Sequence, residues 1–205
     1  MAIVLAVVAL AASSPNLTKL VLTPSQVGGG YVLRPRIDGF GVKSNVTLDL
    51  CGRSGYPSEK LRVARLQVDY VKQGAKVGLS NEVVAYKRGG AAQAMREVIK
   101  HARTCPRTPI KAEADLPKLR FTMTLLKAKG LLKGYLYVRV RVQGIVKHKK
   151  VDQTSYAVYQ RRGDVLSGTY SFGANSRAQQ QFALHAAQQS ALNLLRGKSL
   201  GGPTA

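Results

Sequence analysis

The sequence has no tryptophan, four phenylalanines, two cysteines and ten acidic residues among 205 positions. Two cysteines cannot build a metal-binding cysteine cluster. No stretch approaches the roughly 18 to 20 consecutive apolar residues of a spanning helix, so no transmembrane anchor is expected. No internal repeat is visible, which excludes solenoids and propellers. No G-x-S-x-G turn presents a nucleophilic serine. The triplet Gly28-Gly29-Gly30 lacks the strand-turn-helix context and the lysine of a phosphate-cradling loop, and it reads as a turn. The three histidines, His101, His148 and His185, fall in different elements and have no metal-ligand spacing. No catalytic residue, metal site or cofactor is expected.

What remains is a globular composition, 45% hydrophobic and 20% charged. Thirty-two Lys and Arg against the ten acids give a formal charge of +22, which makes a polyanion a candidate partner. The first twelve residues are almost wholly apolar and run into the small-residue patch Ala11-Ala12-Ser13-Ser14-Pro15. This resembles a signal peptide, with Ala9-Leu10-Ala11 in the form read by signal peptidase, although the basic residues that open such a segment are absent. A first core strand or short buried helix is the competing reading. No cysteine precedes Cys51, which excludes a lipoprotein anchor. In an exported chain the pair Cys51 and Cys105 reads as one disulfide, against the alternative of two unrelated buried thiols.

Residues 13–30 form an N-terminal segment in which Thr23-Pro24 offers a helix cap and a first-turn proline. Residues 31–200 read as a single α+β domain. Its opening stretch, 31–41, mixes Gly, Pro and charge and reads as irregular. Alternation predicts strands over 46–50, 61–72 and 82–88, and helical spacing predicts a helix over 91–104 that stops before Pro106. Residues 106–118, with three prolines, read as a linker. Strands follow over 119–126, 134–147, 154–162 and 165–172. A closing helix runs to Arg196, capped by Asn175 or Ser176, with Phe182, Leu184, Ala187, Ala191, Leu194 and Leu195 as its buried stripe. The triplet Arg162-Gly163-Asp164 lies between two strands and is first a hairpin turn. Asn16-Leu17-Thr18 and Asn45-Val46-Thr47 match the glycosylation pattern, which matters only in a eukaryotic source. The expected architecture is an antiparallel sheet with one face covered by two main helices and one disulfide.

Leu48-Asp49-Leu50-Cys51-Gly52, the strand Ser80-Asn81-Glu82-Val83-Val84-Ala85-Tyr86, the helix after it and Cys105-Pro106 resemble exported actinobacterial domains. Among these is the extracellular sensor domain of PknH-type serine/threonine kinases. The resemblance implies helices on an antiparallel sheet and a cleft for a ligand. It departs from those domains in having two cysteines where they have two disulfides, and in lacking a kinase domain. A signalling role is therefore not carried over.

The charge is concentrated. From Lys111 to Arg162 there are thirteen Lys and Arg against Glu113, Asp115 and Asp152. If Leu136, Val138, Val140 and Val142 point to the core, then Tyr135, Tyr137, Arg139 and Arg141 face water, joined by Tyr159 and Arg161 on the next strand. Such a surface would stack on and pair with the phosphates of a cell-wall anionic polymer, phospholipid headgroups or extracellular nucleic acid. A merely solvated basic face is the plainer alternative. The expected function is that of a non-enzymatic exported domain at the cell envelope, secreted or surface-held, that binds a small ligand or an anionic polymer. The alternative is an intracellular nucleic-acid-binding protein.

Overall fold

The computed structural model describes residues 16–43, 48–50, 55–74, 78–105, 110–111, 119–146, 148–174 and 176–197. Among them eight strands form one antiparallel sheet: β1 (Val32–Pro35), β2 (Arg62–Val71), β3 (Gly78–Tyr86), β4 (Ile110–Lys111), β5 (Leu119–Leu125), β6 (Leu136–Val146), β7 (Lys149–Arg162) and β8 (Val165–Ala174). The order across the sheet is β1-β2-β3-β8-β7-β6-β5-β4. The chain thus builds a hairpin, crosses to the far edge and returns strand by strand until β8 pairs with β3. The helices are α1 (Pro24–Val27), α2 (Gly90–Thr104) and α3 (Arg177–Arg196).

Local chemistry explains the element ends. Thr23 caps α1 by a capping box with Gln26, and Pro24 occupies the first turn. Ser176 caps α3 by accepting from the Gln179 amide at 3.1 Å. Arg162 pairs with Val165, so Gly163-Asp164 is a two-residue hairpin turn, with Gly163 at a φ of 55°. That turn also seats α2, because the Asp164 carboxylate accepts from the Gly89 amide at 2.7 Å. A side chain at Gly90 would lie 2.8 Å from Tyr86 Cβ, so α2 can start this close to β3 only on a glycine.

The two long helices lie on opposite faces of the sheet, which corrects the expectation that both cover one face. Ala91, Ala94, Met95, Val98 and Ala102 of α2 pack on Val84, Leu166, Tyr159, Leu136 and Val138. On the other face Ala183 and Ala187 of α3 pack on Tyr137, Tyr156 and Val158. Beside them the N-terminal segment, with Leu17, Leu20, Val21, Leu22 and Val27, packs on Leu66, Val68, Tyr70, Val83 and Ala85. The reason is visible in β3, where every residue from Leu79 to Tyr86 is buried, a state that needs cover on both sides.

The short helix α1 forms where Thr23-Pro24 offered a helix start, beside the two main helices. Further corrections follow. No disulfide joins two described residues, because these include Cys105 alone, and Cys105 is not a free thiol. Its Sγ is buried 3.6 Å from the His101 carbonyl oxygen, and Cys51 lies outside them. The stretch read as irregular contains β1, an edge strand paired with β2 from Val32↔Val71 to Pro35↔Val68. The stretch read as a linker contains β4, paired with β5. The leader, Asn45-Val46-Thr47 and the rest of 106–118 lie outside the described residues.

Candidate functional site: a cleft on the α2 face

Because α2 covers only part of its face, the strands beyond it are left open. There a cavity of about 430 Å³ is lined by Val138, Val140, Ala157, Tyr159, Tyr170 and Phe172, with Leu50 and Asp49 at one wall. The register explains the assembly. Val138 pairs with Ala157, Ala157 with Tyr170 and Val140 with Ser155, so alternate residues of β6, β7 and β8 converge on one surface.

The polar wall is a buried network. Glu82 of β3 accepts from Arg65 Nε at 2.5 Å through one carboxylate oxygen and from the Tyr170 hydroxyl at 3.0 Å through the other. Arg65 also donates to the Gln67 side chain and to the Asp38 carbonyl. Gln67 in turn donates to Ser80 Oγ at 2.9 Å. Burying a charge is costly unless it is paired and hydrogen-bonded, and this one is both. Tyr159 stands edge-on to Tyr170, with ring centroids 5.7 Å apart. Burial, then the neighbouring Tyr159 and Glu82, raises the Tyr170 phenol well above its ordinary range. Burial raises Tyr159 likewise. Both stay protonated at neutral pH, with the Tyr170 O–H donated to Glu82 and the Glu82 carboxylate committed to Arg65.

The cleft therefore offers shape, apolar area and a rigid polar rim. The histidines do not join it: His101 stacks edge-on to Tyr56, His185 bonds the Gln26 carbonyl, and His148 sits in the β6–β7 turn at a φ of 63°. Among the described residues no group of three or more His, Cys, Asp or Glu could hold a metal ion. No helix among them is long and apolar enough to cross a membrane.

The six residues read from the sequence as a basic, aromatic surface do not share one. Tyr137 is 2% exposed beneath α3, and burial pushes its phenol up to about 12. Tyr159 is 1% exposed and lies on the opposite face, since it pairs with Leu136. Arg161, two residues on, is exposed on that face as well. Tyr135 holds the approach to β6, its hydroxyl bonded to both the amide and the carbonyl of Ala128. Arg139 donates to Thr124 Oγ1 at 3.4 Å. Arg141 grips Asp152 through two hydrogen bonds of 2.8 and 2.6 Å, and that bond holds the Asp152 carboxyl below its usual range. Alternation within one strand cannot show that a second helix covers the supposed wet face.

Glu82, Arg65 and Tyr170 were not singled out from the sequence as site residues. The available signal was Asn81-Glu82 inside an otherwise apolar buried strand, because a charge there demands a partner on the next strand.

The architecture has counterparts of known structure. The chain shares its fold with the extracellular domain of PknH from Mycobacterium tuberculosis. That match has a TM-score of 0.53 at 15% identity and covers 83% of this chain and 92% of the PknH domain. An uncharacterized Mycobacterium smegmatis protein, the Rv0999 ortholog, superposes with a TM-score of 0.50 at 9% identity, covering 89% of this chain and 98% of the other. At these identities the likeness is one of fold. No family model matches the sequence, and no curated protein does.

Proposed function

We propose that this chain is a non-enzymatic, extracytoplasmic ligand-binding domain of the PknH sensor type, and that its ligand enters the cleft on the α2 face. The observation that carries the reading is the half-covered sheet face: an apolar floor of Val138, Val140 and Ala157 beside a fixed rim of Tyr170, Glu82 and Gln67. Pockets of this size and lining suit a small, mostly apolar molecule held by a few polar groups. The signal-like N-terminus and the fold shared with an extracellular domain support the compartment. Arg65 already neutralises Glu82, so the rim favours a neutral hydrogen-bonding group over a cation.

The test uses N-phenyl-1-naphthylamine, a neutral apolar probe. Wild type is expected to bind it saturably, and Val140→Trp, which fills the half-exposed floor, is expected to weaken binding at least about tenfold with unchanged circular dichroism. Equal binding by both proteins would refute the cleft as the site. Anionic-polymer binding is the second reading. It rests on Arg139 and Arg161, which stand outside the described ion pairs but point to opposite faces.

A further inference from the structure

Among the described residues the most exposed large apolar side chains, Ile37 at 107% and Phe40 at 65%, follow β1, and Val32 and Leu33 of β1 and Val63 of β2 are exposed as well. These side chains do not hang on a slack loop. Gly39 accepts from the Gln67 amide at 3.0 Å, and a Cβ at Gly39 would sit on the Gln67 oxygen. Arg65 donates to the Asp38 carbonyl at 3.0 Å. The turn is therefore pinned to β2 with Ile37 and Phe40 projecting from it. Phe40, Val42 and Val63 share a hollow of about 310 Å³ with Asn16, Leu17 and Thr18.

Charge around this patch is one-sided. Its acids are engaged: Asp38 and Asp69 with Arg36, Glu59 with Arg62. Arg34, Lys43 and Lys60 are exposed and have no acidic partner among the described residues. Lys43 and Lys60 lie together beside Val42.

We propose that the β1 edge is a membrane-docking face, with Ile37 and Phe40 entering the interface of an anionic bilayer and Arg34, Lys43 and Lys60 meeting its headgroup phosphates. Protruding apolar side chains ringed by unpaired cations are the pairing that interfacial binding uses. A protein partner would call for a recessed or flat complementary surface, whereas Ile37 stands clear of the fold. The inference does not depend on the cleft.

Because the chain has no tryptophan, Phe40→Trp places a single reporter on the patch. Leu125→Trp, at an exposed leucine of β5 far across the sheet from β1, is the control. With full-length protein and vesicles of equal parts phosphatidylglycerol and phosphatidylcholine, Phe40→Trp emission is expected to shift to the blue and to be quenched by brominated lipid, while Leu125→Trp emission stays unchanged. Phosphatidylcholine alone is expected to give at most about a tenth of the affinity. The pair Ile37→Ser and Phe40→Ser, in the wild-type background, is expected to weaken binding at least about tenfold. An unmoved Phe40→Trp spectrum, equal shifts at both reporters, or wild-type affinity in the double serine variant would overturn the proposal.

Discussion

The two faces of the sheet are made from alternate residues of the same strands, yet they are closed by different means. On the α3 face the covering helix presents small and polar side chains and is stitched down by hydrogen bonds. Asn81 receives the Leu22 amide and donates to Ser167 and to the Gly168 carbonyl. Ser167 meets Ser190 at 2.7 Å, Gln160 donates to the Ala187 carbonyl, and Asn193 to the Val21 carbonyl. On the α2 face the cover is apolar and short, and its uncovered end is walled by a single ion pair. A helix that approaches closely through Ala and Ser fills the surface beneath it, whereas one that stops halfway leaves the cleft beside it. The close-packed cover lies on one side and the cleft opens on the other.

Breaking the ion pair should give the largest effect. Glu82→Ala leaves the Arg65 guanidinium buried without its carboxylate, and urea unfolding is expected to show a loss of about 3 to 5 kcal/mol. The paired replacement Arg65→Met with Glu82→Leu should recover most of it. A cost below about 1 kcal/mol for the single variant would mean that the pair is not what holds the open end together. On the other face, Asn81→Ala removes one hub of the stitching and strands the Leu22 amide, at a cost of about 2 to 3 kcal/mol. If it costs less than an exposed substitution does, α3 and the N-terminal segment are held by apolar contact instead.

Alkaline titration sharpens the comparison further. Burial raises the phenols of Tyr70 on the α3 face and Tyr170 on the α2 face above their ordinary value. Above about pH 10 the unfolded chain releases these protons while the folded chain keeps them, so stability falls as pH rises. Each such tyrosine adds about 1.4 kcal/mol of loss per pH unit until its folded form also ionises. Tyr70→Phe and Tyr170→Phe should each flatten that limb by about one proton. Stability that is level from pH 9 to 11 would show that these hydroxyls are not buried. The smallest effect is expected at the exposed Arg141–Asp152 pair, where Asp152→Asn should leave Tm unchanged in a thermal melt.

Much of the fold was legible in the sequence because the periods were strong. The β2 and β6–β8 runs, the helix over 90–104 and the closing helix all fall where alternation and helical spacing put them. Short edge strands escaped, since the four residues of β1, all exposed, leave no burial pattern to read. The side of the sheet taken by each helix escaped for a different reason. The closing helix buries Gln179, Ser190 and Asn193 among alanines, while Leu192 and Leu195 are exposed, so an apolar stripe was the wrong guide to its inner face. The candidate site suffered from the same assumption. A single wet face joined residues that the register separates, and the cleft forms where strands distant in sequence meet.

The most direct test of the account is native mass spectrometry of the protein taken from the envelope of its own host, wild type beside Val140→Trp. The account predicts a discrete small molecule retained by wild type and absent from the filled-cleft variant, with both proteins folded. The same bound mass on both proteins, or none on either, would contradict the assignment of the α2-face cleft as the binding site.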